Sequence, residues 1–212
     1  MLLIAVNLAH PWTLIRSPVD MEVLRVLRRT TRPLTGREVA RLVRTGSQPT
    51  VNACLRRLAD EGVVHAEEAG NAYLYSFNRE HLAAPAIDLL ADMRGELERR
   101  LRAEIAEWEV APAHLSIFGS AARGDGDTRS DIDIFIVRPA RVPEADERWR
   151  AQLERLSERV YGWTGNHAGM SEVGATEIRR LRRERPPIVA ELGRDAITLA
   201  GPTPAELFGA AA

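Results

Sequence analysis

The chain has 212 residues, 45% of them hydrophobic and 28% charged; that is enough apolar material for a real core, and wholesale disorder is excluded. The formal charge of −1, with arginine supplying all 29 basic residues, excludes a basic DNA-coating protein, and the single cysteine, Cys54, excludes a disulfide framework or a cysteine zinc cluster. No apolar run reaches the length of a membrane span. The apolar opening Met1–Val6 is too short, and lacks the basic flank, for a secretory signal, so a cytoplasmic location is expected.

Charge is unevenly spread. Residues 1–80 carry 11 arginines against 8 acidic residues, and 81–212 carry 18 against 22. A mildly basic front and an acidic back indicate two modules with different partners.

The first periodic segment has apolar residues at Val19, Val23, Leu24, Val26 and Leu27, preceded by the start signal Ser17-Pro18, and predicts a helix. A second helix follows Thr35, with Glu38 at capping-box spacing and Val39, Leu42 and Val43 as its buried face. Thr45-Gly46 closes it. Ser47 caps a third helix that carries Val51, Leu55 and Leu58 and ends near Glu61-Gly62. Val63–His65 and Tyr73–Phe77, separated by Gly70-Asn71, predict a hairpin. From His81 to Glu109 the pattern is helical again and predicts one long connecting helix. A strand at Leu115–Phe118, a glycine-rich loop at 119–130 and a strand at Ile132–Val137 come next. A helix over 143–163, a weak strand at Ala168–Val173 and a helical tail with a closing strand at 196–199 complete the chain.

Three helices and a hairpin are the elements of a winged helix-turn-helix, and Leu34–Phe77 resembles bacterial regulators of that fold. Its third helix would present Gln48, Thr50, Asn52 and Arg56 to the major groove, opposite the apolar face. Arg44, Arg57, Asn71 and Tyr73 are candidates for the DNA backbone. The alternatives are a winged helix used for protein contacts or one merely solvated. Dimerisation would double the thin positive charge and match a palindromic site.

The segment that carries chemistry runs from Leu115 to Val137. A strand ends at Gly119-Ser120, where glycine admits close approach and Ser120 with the following amides would face an anion. Arg123 could clamp a phosphate or pair with Asp125 or Asp127, and Ser130 could brace the acid that follows it. Asp131 and Asp133 stand two residues apart on a strand and so share one face, with Ile132, Ile134 and Ile136 on the other. Two carboxylates beside a phosphate cradle suit Mg²⁺, which takes one or two such ligands and completes its shell with phosphates and water. The alternative is that both are the solvated side of an amphipathic strand. An EF-hand calcium loop fails, because Arg129 and Ser130 would fall where that loop needs a ligand and a glycine.

Gly119-Ser120, a ten-residue spacer and Asp131-x-Asp133 resemble the signature of the DNA polymerase beta nucleotidyltransferase superfamily, in its minimal form. The resemblance covers roughly 110–200. It implies that Gly119 and Ser120 hold nucleotide phosphates, with Arg123 and Ser130 beside them, and that Asp131 and Asp133 bind one or two Mg²⁺ ions. The family's third carboxylate lies on a later strand. Here the only acid in 167–173 is Glu172, which is either that catalytic residue or the start of the next loop; His167 is either near the site or a surface residue. The whole chain resembles an actinobacterial type in which a winged helix precedes such a domain.

The expectation is therefore an α+β protein: a winged helix over 1–80, a connecting helix over 81–109 and a small mixed-sheet nucleotidyltransferase domain over 110–212. It would transfer a nucleoside monophosphate from a nucleoside triphosphate to an acceptor, a protein being one candidate. Two other functions stay open: a transcriptional regulator that only senses nucleotide, and an antitoxin that modifies or binds a toxin partner.

Overall fold

A computed structural model describes residues 8–209, so Met1–Val6 lies outside the described residues. The chain divides into two compact units, Met1–Met93 and Arg94–Ala212.

In the first unit, α1 (Pro18–Arg29) starts where Asp20 Oδ2 accepts the amides of Arg16 and Ser17, at 2.7 and 2.9 Å. The two-residue strand β1 (Leu34–Thr35) leads into α2 (Gly36–Leu42). Here Thr35 and Glu38 form the expected capping box: the Thr35 hydroxyl accepts from the Glu38 amide and Glu38 Oε2 from the Thr35 amide. The third helix, α3 (Gln48–Asp60), follows its Ser47 cap. The wing is β2 (Val64–Ala69) and β3 (Ala72–Phe77), antiparallel, with β1 added on the far side of β3. Val23, Leu24, Val39, Val51, Leu55 and Leu58 are fully buried in one cluster that joins all three helices to the wing. Each such side chain contributes about 1.5–3 kcal/mol of burial. Leu42 departs from the expected face. The helix ends there and Val43 turns into extended backbone, which leaves Leu42 53% exposed.

The helix expected over 81–109 is two helices, α4 (Ala84–Ala91) and α5 (Met93–Ala106). Asp92 leaves helical geometry (φ −126°, ψ 33°), and its amide turns back to the Leu89 carbonyl. A 3.6-residue apolar rhythm continues through such a break, so periodicity alone reads the two as one.

The second unit is built on a four-stranded mixed sheet in the order β6-β5-β4-β7, from β4 (His114–Ile117), β5 (Ile132–Val137), β6 (Ala168–Val173) and β7 (Ile197–Ala200). β4 pairs antiparallel with β5 and β7, and β5 pairs parallel with β6. The short helix α6 (Gly119–Arg123) follows β4, and α7 (Glu147–Thr164) connects β5 to β6. After β6 come α8 (Ala175–Glu184), α9 (Pro187–Asp195) and, past β7, α10 (Pro204–Phe208). Alternation on β5 divides the core. Ile132, Ile134 and Ile136 pack with Leu101 and Ile105 of α5 and Trp149 and Leu156 of α7. Phe135 and Val137 pack on the opposite side with Ile178, Val189, Leu192 and Phe208. The α5 helix is thus part of this core.

Beneath that second layer, His114 is completely buried. Its Nδ1 lies 2.7 Å from the Pro202 carbonyl, which can only accept, so Nδ1–H donates; Nε2 then accepts from the Ser116 hydroxyl at 2.9 Å. Burial holds the imidazole below its ordinary value, against the opposing pull of the Pro202 carbonyl. Below about pH 6.5 the unfolded chain takes up a proton that the folded site resists, so stability is lost as pH falls from there toward the depressed folded value. Thermal melts between pH 7.5 and 5.5 are expected to show this decline, and His114→Gln is expected to flatten it. An unchanged slope would remove His114 as the cause.

Candidate functional site

Asp131 and Asp133 stand where β5 begins, beside the turn that follows β4. Gly119 opens α6 at φ +65°, a left-handed backbone that favours glycine. A Cβ there would collide with Asp133 Oδ2, so the missing side chain is what lets the carboxylate lie against the turn. The Phe118 amide donates to the Asp133 carbonyl at 3.0 Å and fixes the two segments together. Across the sheet Asp133 is in register with Gly169 of β6. A Cβ at Gly169 would come within 3.2 Å of Asp133 Oδ1 and 3.7 Å of the Asp131 Cβ. Asp131 and Asp133 therefore share one face, and Asp133 packs against two glycines.

Neither carboxylate is offset by a positive partner in contact. Asp133 is half-buried, and burial raises its pKa first; the charges of Asp131 and then Glu191 raise it further, and only Arg123 acts the other way. Such a concentration of negative charge suits a cation. Among the described residues, no group of three His, Cys, Asp or Glu side chains could by itself hold a metal ion. A hard divalent ion with phosphate and water ligands fits a two-carboxylate site, because it needs no protein cage.

The remaining predicted residues separate into those near the pair and those turned elsewhere. Ser120 lies in the first turn of α6, its hydroxyl without a hydrogen bond and close to Gly126. Arg123 is committed to carboxylates, to Asp125 at 3.1 Å and Asp195 at 2.8 Å. Ser130 does not brace Asp131; its hydroxyl donates to Asp127 and accepts the Asp127 amide. Asn166, which sequence reasoning missed, donates to the Ser130 carbonyl at 2.7 Å and ties that loop to the end of α7. His167 stacks on Tyr161 at 5.1 Å.

Glu172 does not join the pair. It is in register with Ile136, so it lies on the isoleucine face of the sheet, opposite Asp133. There one oxygen, Oε1, accepts from Arg138 at 2.7 Å and from the Trp149 indole at 2.9 Å. The β6 residues on the Asp133 face are Gly169, Ser171 and Val173, none of them an acid.

In the first unit, Gln48, Asn52 and Arg56 recur at four-residue intervals along α3 and line one groove of about 600 Å³. Arg37 at the start of α2 and Asn71 and Tyr73 of the wing complete it. Gly36 brings α2 close to this face, since a Cβ there would collide with Asn52 Oδ1. Three predicted contacts lie elsewhere. The Thr50 hydroxyl bonds to the Ser47 cap at 2.9 Å. Arg44 pairs with Glu22 at 3.3 Å. Arg57 turns inward, where it donates to the Leu14 carbonyl and pairs with Glu61 at 2.8 Å and with buried Asp20 at 2.7 Å. Cys54 donates to the same Asp20 at 3.0 Å; burial, then that carboxylate, pushes the thiol up to about 12, so it stays protonated.

A family model described as penicillinase repressor matches residues 16–89, and one described as nucleotidyltransferase domain matches 87–183. The chain joins a repressor-type winged helix to a nucleotidyltransferase domain. The Asp131–Asp133 pair lies in the nucleotidyltransferase domain, and the α3 groove lies in the repressor-type domain. No curated protein matches the chain. Among solved structures, one described as "Crystal structure of the toxin-antitoxin with AMP-PNP" is 15% identical with a TM-score of 0.36, over 52% of this chain and 80% of that one.

Proposed function

We propose that the second unit transfers a nucleoside monophosphate from a nucleoside triphosphate to an acceptor, and that the first unit binds DNA. The observation that carries the catalytic reading is the carboxylate pair Asp131 and Asp133 on one face, without a positive partner in contact among the described residues, with Asp133 packed against Gly119 and Gly169. Magnesium held by Asp131 and Asp133 would neutralise the triphosphate charge that otherwise repels a nucleophile. The Gly119-Ser120 turn, with its open hydroxyl, would hold phosphate oxygens. Arg123 acts as a strut: it fixes α6 to Asp195 and lends Asp133 some positive potential.

A second reading, a regulator that senses nucleotide without transferring it, is favoured by one observation. Glu172, the acid on β6, faces away from the pair. One experiment separates the two. ATP binding that requires Mg²⁺, with label from α-labelled ATP appearing on a component of a cell lysate, supports transfer. Mg²⁺-dependent binding without label supports sensing, and no binding to any nucleoside triphosphate would refute both.

For the first unit, Gln48 and Asn52 suit adenine edges, and Arg56 suits guanine or phosphate. Alanine at Asn52 or Arg56 is expected to weaken specific DNA binding by about 1–3 kcal/mol, roughly fivefold to 150-fold, without lowering the melting temperature. Gel retardation on genomic fragments at low salt checks this. Equal retardation by wild type and both variants would mean that this groove does not meet DNA.

A further inference from the structure

When a hydroxyl attacks phosphorus its proton must go to a base, and β6 offers no carboxylate on the Asp133 face. Helix α9 does. Asp195, its last residue, pairs with Arg123 at the end of α6 at 2.8 Å. That ion pair holds one face of α9 against α6. Glu191 precedes Asp195 by four residues and so lies on that face, one turn back. Gly119 precedes Arg123 by the same four residues in α6, and Asp133 lies directly against Gly119. The two helices pack on one another, so Glu191 stands on the face of α9 that carries Asp195 toward α6. The field agrees, since Glu191 is among the charges felt at Asp133. Glu191 is exposed and, among the described residues, makes no hydrogen bond or ion pair, so its carboxylate is open to an incoming group.

We propose that Glu191 is the general base of the transfer reaction, supplied from α9 in place of a strand acid. Its carboxylate takes the proton of an acceptor hydroxyl as that oxygen bonds to the α-phosphorus. The bond to the bridging oxygen breaks, and its electron pair leaves with pyrophosphate. The acceptor class that this geometry serves is a hydroxyl, on a side chain or a ribose. The inference rests on the transfer reading above.

The test uses the full chain, α-labelled ATP, Mg²⁺ and a cell lysate as the source of acceptor, with Mg²⁺–ATP affinity followed separately by calorimetry. Glu191→Gln is expected to slow labelling by about 10²–10⁴-fold and to leave Mg²⁺–ATP affinity and melting temperature within error. Glu191→Ala is expected to regain part of its rate on addition of formate, which a merely structural role would not produce. Labelling by Glu191→Gln at the wild-type rate would overturn the inference and leave the transfer reading intact. A slow Glu191→Ala that formate does not rescue would also overturn it. Absence of labelling by the wild type, with ATP still bound, would overturn the transfer reading and this inference with it.

Discussion

Asp133→Asn is expected to lower nucleotidyl transfer by at least about 10²–10³-fold, the scale on which a single group that stabilises reacting charge contributes. The substitution keeps the size and shape of the side chain and removes the charge. Burial and the charges of Asp131 and Glu191 oppose the charged form of Asp133. The neutral amide therefore relieves repulsion, and the melting temperature is expected to stay level or rise. The combination matters, because activity lost to misfolding would come with a lower melting temperature. Mg²⁺ with ATP is expected to raise the melting temperature of the wild type and to do so much less for the variant. Equal transfer by the two proteins would show that the carboxylate pair takes no part in the reaction.

The second large effect is expected in the other unit. Arg57→Ala removes the guanidinium that joins Asp20, Glu61 and the Leu14 carbonyl. Asp20 is only 3% exposed, and its Oδ1 would keep Cys54 alone. Breaking a buried pair from one side typically costs about 3–5 kcal/mol, a large share of a small domain's stability. Arg57→Ala should therefore lower the unfolding midpoint of the first unit sharply. Were Arg57 a DNA contact, the same substitution would weaken binding and leave the unfolding midpoint unchanged. Chemical denaturation together with gel retardation separates the two.

Arg57 also shows where sequence reasoning stops. It follows Arg56 on a helix with an unambiguous apolar stripe, and a charge off that stripe reads as solvent-facing. Its destination is set by Asp20, 37 positions earlier and folded under by α1, which no local pattern displays. Elements with a strong local rhythm were legible: the capping box at Thr35 and Glu38, the Val51–Leu55–Leu58 stripe and the alternation of β5 all stand where their residues place them. So was the sharing of one face by Asp131 and Asp133, because strand alternation is a property of a single segment.

What required the fold was every relation between segments. Whether Glu172 faces Asp133 depends on the register of β6 against β5; one residue of shift exchanges its two faces. The register observed sets Gly169, not Glu172, beside the pair. Glu191 stood out in no motif, since its relation to Asp133 passes through the packing of α9 on α6. β1 has only two residues, too few for any periodicity, and exists because β3 offers it a partner.

The interiors of the two units have no residue in common: the apolar cluster of the first ends at Ile87, and those of the second begin at Leu101. Each of these clusters is built from its own unit's residues, so a core substitution is expected to act first on the unit that holds it. Point substitutions that abolish the proposed transfer are expected to leave the proposed DNA binding in place, and those that abolish DNA binding to leave transfer, without rebuilding the half that remains.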